Sequence, residues 1–228
     1  MLARHAKLEW REHESGRSAL GAELTPLLDA TLEQLIIATT DSRAAKQWIA
    51  RHFSQIAAKA ANLGIRPENS EREAALWSVL DGEFVRLIER ASLHHVVTMV
   101  WALGKVDALT AKTWAPAERL VVSRGIEKFN KGLGFEKRAE HDEAGPMMTD
   151  LAMLMHGFGN RGLPVPELCA RVASSLPRYL RELRKSKRER EHVSVVNILW
   201  ALAKIEYTEP SVYVLLADEC LFWHRHFT

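Results

Sequence analysis

"VVTMVWALGKV", Val96–Val106, recurs 99 residues later as "VVNILWALAKI", Val195–Ile205. Six of the eleven positions are identical, and four more exchange one small or apolar residue for another. Both copies are apolar nearly all round, as expected of a helix covered on two sides. A shift of 55 brings "LAMLMHGFGNR", Leu151–Arg161, into the same frame, with His156 in the tryptophan column and Gly159 matching Gly104. Each copy runs into a short turn and a second amphipathic segment: "TAKTWAPAERLVVSRGIEKF", "PVPELCARVASSLPRYLREL" and "TEPSVYVLLADECLFW". Pro116, Pro166 and Pro210 fall early in those segments, which suits a first helical turn. Pro177 lies deeper and predicts a kink or an early end.

Each unit therefore reads as helix, turn, helix, with starts spaced by 55 and then 44 residues. The wider spacing contains "NKGLGFEKRAEHDEAGP", Asn130–Pro146, with three Gly, one Pro and seven charged residues, which reads as a loop insertion. Removing it leaves a period of about 40, the signature of an all-α fold built as an α-solenoid. A helix pair cannot bury its apolar face alone, so stacked copies repeat the residues that solve one packing problem. Three such units cover 93–228. Residues 26–92 read as a degenerate repeat region and 1–25 as an N-terminal extension. Upstream, "LEQLIIATT" is expected as a first helix and "RAAKQWIARHFSQIAAKA" as its second, with "REAALWSVLDGEFVRLIERAS" as further helix. Ser70 with Glu73 three residues on forms a capping-box pattern.

Composition fits this picture. The 228 residues are 47% hydrophobic and 26% charged, with a net charge of +2. No apolar run is long enough for a membrane span, and a near-neutral chain must contact nucleic acid through local patches. Cys169 and Cys220 are too few for a disulfide framework and read as reduced, partly buried thiols. The first twenty residues hold three Glu among their Arg, Lys and His, which argues against an uncleaved mitochondrial transit peptide.

"LWALAK", Leu199–Lys204, with "VWALGK", Val100–Lys105, resembles the octotricopeptide repeats of algal organelles. These are similar to the heptatricopeptide repeats of RAP proteins and to the FAST kinase-like proteins of mitochondria. The resemblance covers Leu93 onward in three units, and the middle unit departs from it at His156 and Gly157. It implies helix-turn-helix repeats that bind organellar RNA in the mitochondrion or another organelle. Within that range lies a structural place in a mitochondrial ribosome, against rRNA and neighbouring protein subunits. No RAP-domain pattern is seen, so the resemblance implies no nuclease activity.

Several columns of the repeat are candidate contacts. Trp101 and Trp200 could stack on bases, but inside an apolar helix they read first as core. Thr98 and Asn197 share a column with Met153; they could read a base edge or bond to a neighbouring helix. Lys105, Asn160 and Lys204 end the first helix of each copy, where a cation can face phosphate or offset the helix dipole. The main candidate is "RYLRELRKSKREREH", Arg178–His192, with seven basic and three acidic residues. Its Arg178, Arg181, Arg184 and Lys185 fall on overlapping helical faces, extended by Lys187, Arg188 and Arg190, and phosphate contacts there would be salt-dependent. The other reading of that run is a solvated connector.

Catalytic signals are poor. "HDE" at His141–Glu143 has no spaced partner. Cys220, His224 and His226 have a metal-like spacing without a fourth ligand. No phosphate-cradling glycine loop follows a strand. The expectation is a non-enzyme that needs no cofactor or metal; the alternative to RNA binding is a protein-binding scaffold or assembly subunit of a large organellar complex.

Overall fold

A computed structural model describes residues 26, 29–34, 49–124, 147–186 and 192–227. The described chain is mostly helical and has no strand among the described residues. Eight α-helices are taken in chain order: α1 Ala50–Asn62, α2 Glu71–Leu87, α3 Leu93–Lys105, α4 Ala111–Arg124, α5 Met147–Arg161, α6 Pro166–Ser186, α7 His192–Lys204 and α8 Pro210–Phe227. The odd helices pack in series, α1 on α3, α3 on α5 and α5 on α7. The even helices form a second series, α2 on α4, α4 on α6 and α6 on α8. Between the two layers lies one core that runs from Phe53 through Trp77, Leu103 and Phe158 to Leu202 and Leu216.

The repeated small residues mark where the odd helices touch. A Cβ on Gly104 would lie 2.7 Å from the Cα of Gly157, and one on Gly157 would lie 2.6 Å from the carbonyl oxygen of Val100. One unit further on, a Cβ on Gly159 would lie 2.9 Å from the Cα of Ala201. In the repeat frame the fourth residue of "WALGK" or "HGFGN" thus meets the second residue of the next copy. Backbone-to-backbone approach at that distance requires Gly at the fourth residue and Gly or Ala at the second.

The turns repeat as faithfully as the helices. Gly64, Asp107, Gly162 and Glu206 all adopt left-handed backbone conformations, with φ of 74°, 63°, 57° and 60°. After each, the next amide donates to the carbonyl five residues earlier: Ile65 to Ala60 at 3.0 Å, Ala108 to Leu103 at 2.8 Å, Leu163 to Phe158 at 3.2 Å and Tyr207 to Leu202 at 3.0 Å. That is one Schellman motif written four times. Gly64 to Asp107 is 43 residues, Asp107 to Gly162 is 55 and Gly162 to Glu206 is 44.

This frame corrects the upstream pairing. "ARHFSQIAAKAAN" is not a second helix: as α1 it packs beside α3 in the first-helix layer, and α2 is its partner across the Gly64 turn. The alanine-rich face of α1, with Ala57, Ala60 and Ala61 buried, performs the close packing that Gly and Ala perform downstream. "LEQLIIATT" lies largely outside the described residues, as do the 1–25 extension and the 130–146 insertion.

Three smaller expectations also change. Pro116 lies six residues into α4 rather than in its first turn, while Pro166 and Pro210 do open α6 and α8. Pro177 does not end α6, which continues to Ser186. The apolar face of that helix, Leu168, Val172, Leu176, Leu180 and Leu183, stays buried across the proline and outweighs the missing amide donor. The capping box is half made. Ser70 Oγ accepts from the Glu73 amide at 3.2 Å, but the Glu73 carboxylate turns to the Arg66 amide at 2.6 Å and to Asn69 Nδ2 at 2.8 Å. It thereby ties the α1–α2 turn to the start of α2.

A non-glycine residue in a left-handed conformation costs about 1–2 kcal/mol. Glu206 is exposed and in the column where Gly162 already sits. Glu206→Gly should stabilise the protein by about 0.5–1 kcal/mol, read as a higher urea midpoint at an unchanged slope. A lower midpoint would show that the Glu206 side chain contributes more than its backbone costs.

Candidate nucleic-acid interface

The columns of the repeat form a face along the odd helices. Trp101, His156 and Trp200 occupy one row on α3, α5 and α7; Lys105, Asn160 and Lys204 lie one turn further along each helix. In every copy the residue at the end folds back on the ring of its own helix. Lys105 Nζ lies 4.8 Å from the centre of the Trp101 ring, and Lys204 Nζ lies 5.9 Å from that of Trp200. Asn160 Nδ2 is 3.1 Å from Nδ1 of His156. The rings also meet across helices, since His156 stacks on Trp200 at 4.8 Å with planes 24° apart.

The core reading of the tryptophans holds in part for Trp101 and not for Trp200. Trp101 is half-buried and packs against the core, whereas Trp200 is 36% exposed. Burial pushes the Lys105 ammonium below its usual range, with nearby Arg66 adding to the effect. Burial likewise lowers the His156 imidazole, and the charge of Lys105 lowers it further. His156 is thus a flat ring between the Asn160 amide and the Trp200 indole.

The middle column departs from expectation. Thr98 Oγ1 donates to the His94 carbonyl of its own helix at 2.8 Å and bonds no neighbouring helix through that hydroxyl. This back-bond is open to any helical Thr. Asn197 is half-buried in the same column. At the start of α3, His94 Nδ1 lies 3.3 Å from Asp150 of α5, and that carboxylate raises the His94 pKa despite partial burial.

The basic run sits elsewhere. Arg178, Arg181 and Arg184 belong to α6, in the even layer, and are exposed. They do not converge with Lys105, Asn160 and Lys204 of the odd layer. Lys187, Arg188 and Arg190 lie outside the described residues, and only the backbone of Lys185 is described. Arg184 is already engaged: its Nε and a terminal nitrogen reach Glu219 Oε2 of α8 at 2.8 and 2.7 Å. Glu219 is a buried carboxylate whose other oxygen accepts from Trp223 Nε1 at 2.7 Å. The guanidinium also lies 4.5 Å over the Phe222 ring. Lys105 is similarly committed, donating to Asn62 Oδ1 of α1 at 2.9 Å. Of the candidate cations whose side chains are described, those best placed for an external partner are Arg178 and Arg181 on one layer and Lys204 on the other.

Sequence reasoning missed the Glu219 site. Its signal was present: a Glu four residues before a Trp in "DECLFW", on a helix apolar enough to bury it, needs a cation from outside that helix. Among the described residues no three His, Cys, Asp or Glu come together to hold a metal, and the side chain of His226 lies outside them. No described helix is long and apolar enough to cross a membrane. Comparison with protein-family models finds no match, and comparison with curated protein sequences finds none.

Proposed function

We infer that the chain is an α-solenoid that binds single-stranded RNA along the odd-helix face, without catalysis. The observation that carries this reading is the row Trp101, His156 and Trp200, each ring backed by a polar side chain one turn on. Partly exposed rings at a repeated spacing offer stacking surfaces to bases, worth about 1–3 kcal/mol per base. The tandem Schellman turns and serial packing of like helices support the solenoid architecture. The resemblance in "VWALGK" and "LWALAK" points to an organellar transcript or rRNA, and so to a structural subunit of a mitochondrial ribosome or similar ribonucleoprotein.

A short labelled oligoribonucleotide tests it by fluorescence anisotropy. Trp200→Ala should weaken binding roughly tenfold or more, and Lys204→Glu should weaken it and flatten the salt slope by about one. Charge reversal at Arg178 and Arg181 asks separately whether the even layer takes part. No binding at low salt by the unmodified chain defeats the reading.

The second reading is a scaffold or assembly subunit of an organellar complex that holds proteins and no RNA. It is favoured by the commitment of Lys105 and Arg184 to intramolecular partners and by the apolar surface of α7 and α8.

A further inference from the structure

A cavity of about 810 Å³ opens between α1 and α3. That volume falls in the range of about 300–1,000 Å³ typical of small-molecule sites. The repeat frame explains its position. A shift of 43 residues, the spacing of Gly64 and Asp107, carries α1 onto α3. Arg51, Gln55 and Ala58 then stand in the columns of His94, Thr98 and Trp101. All of these except Trp101 line the cavity. It therefore lies on the face that carries the row Trp101, His156 and Trp200, one unit upstream. There Ala58 puts only a methyl group where α3 and α7 each put an indole.

The lining has two characters. Ile56, Ile65 and Leu76 make part of it aliphatic, whereas Arg51, Lys59, His94 and His95 bring donors and positive charge. No Asp or Glu lines it among the described residues. His94 shares its charge with Asp150 of α5. Arg51 and Lys59 are exposed and join no ion pair among the described residues. Burial lowers the His95 pKa, and the charges of His94 and Arg51 lower it further, so these groups crowd one another. An anion relieves such crowding. Gln55 adds an amide, donor and acceptor at once, the kind of group that bonds to the edge of an unstacked base. We propose that the cavity holds a nucleotide ending in a phosphate monoester, with its base in the space beside Ala58 and its phosphate on Arg51. A terminal phosphate carries close to two negative charges, against one on an internal phosphodiester, and so suits the crowded cations better. An acyl carboxylate would match the aliphatic lining but brings half that charge and nothing for the Gln55 amide. Uptake of a free nucleotide stands by itself; placing the end of a bound strand here rests on the RNA reading.

Isothermal titration calorimetry of the full chain with 5′-AMP tests this. The expected Kd is on the order of 100 μM, and adenosine, which lacks the phosphate, should bind at least about tenfold more weakly. Arg51→Glu should abolish AMP binding, and because Arg51 is exposed the variant keeps its circular dichroism. Ala58→Trp should abolish it too, by filling the cavity with the ring found in the same column of α3 and α7. Trp200→Ala, on a helix that does not line the cavity, should leave it unchanged. No heat from AMP at about 5 mM, well above the expected Kd, overturns the proposal. So does equal affinity for AMP and adenosine, or AMP binding that survives Arg51→Glu. Tighter binding of laurate than of AMP overturns it as well and gives the cavity to an acyl carboxylate. The oligoribonucleotide titration fails or succeeds separately: a chain that binds the oligonucleotide but not AMP loses only this pocket, and one that binds AMP but no oligonucleotide keeps the pocket and loses the RNA reading.

Discussion

Gly157→Leu is expected to cost roughly 4 kcal/mol, while Gly82→Ala is expected to gain up to about 1 kcal/mol. Both glycines sit inside helices, so propensity alone predicts a gain from either change. Their surroundings differ. A Cβ on Gly82 would meet nothing within 4 Å. A Cβ on Gly157 would meet the Val100 carbonyl oxygen at 2.6 Å, its carbon at 2.8 Å and the Trp101 amide nitrogen at 3.0 Å. All three are backbone atoms of a neighbouring helix and no rotamer change relieves them. The two helices must separate, which opens the contacts of Val97, Val100 and Leu154, all fully buried. Overpacking of this kind costs about 1–3 kcal/mol for small additions and more for a branched side chain. Even Gly157→Ala should lose about 1–2 kcal/mol, because the clash exceeds the propensity gain. Urea unfolding checks the pair of sites. If Gly157→Ala proves as benign as Gly82→Ala, the helices do not meet at that point.

That contact shows how the sequence conveyed the fold and where it stopped. Small residues in two columns, "A-L-G" and "G-F-G", were readable as repetition, and their cause was readable as packing. Which column met which was not, because the answer depends on the offset between neighbouring helices. The upstream unit was misphased for a related reason. In α1 the tryptophan column is filled by Ala58 and the lysine column by Asn62, so the side chains that announced the repeat are missing. Only the turn residue, Gly64, kept the frame, and a single glycine says little before its φ is known. The candidate interface was legible by column and misjudged by depth. Trp101 keeps part of the core contact that its apolar helix suggests, whereas Trp200 in the same column is 36% exposed. For α6 the depth was legible and the pairing was not. Its described arginines are exposed as a basic run suggests, and what the sequence did not show is that Arg184 also pairs with a buried acid.

Arg184→Leu should cost about 3 kcal/mol, a loss of roughly 6–12 °C in melting temperature for a chain of this size. The Glu219 side chain is 1% exposed and Arg184 is 46% exposed, so the pair is a partly wet cation closing over a dry carboxylate. Deleting the cation leaves the acid with one donor, the Trp223 indole at 2.7 Å, for a full negative charge. Removing one member of such a pair costs far more than the pair itself contributes. A double-mutant cycle separates the two quantities. Glu219→Leu in the Arg184→Leu background should recover most of the loss, because an apolar side chain then fills the space beneath Phe222 and no buried charge remains. Arg184→Lys should fall between, since one ammonium replaces two guanidinium contacts to the same oxygen. Equal stability of Arg184→Leu and the unmodified chain would mean that water already solvates Glu219. The same cycle bears on partner binding. If α6 meets RNA through Arg178 and Arg181, the double Leu variant should bind RNA as the unmodified chain does once its fold is restored.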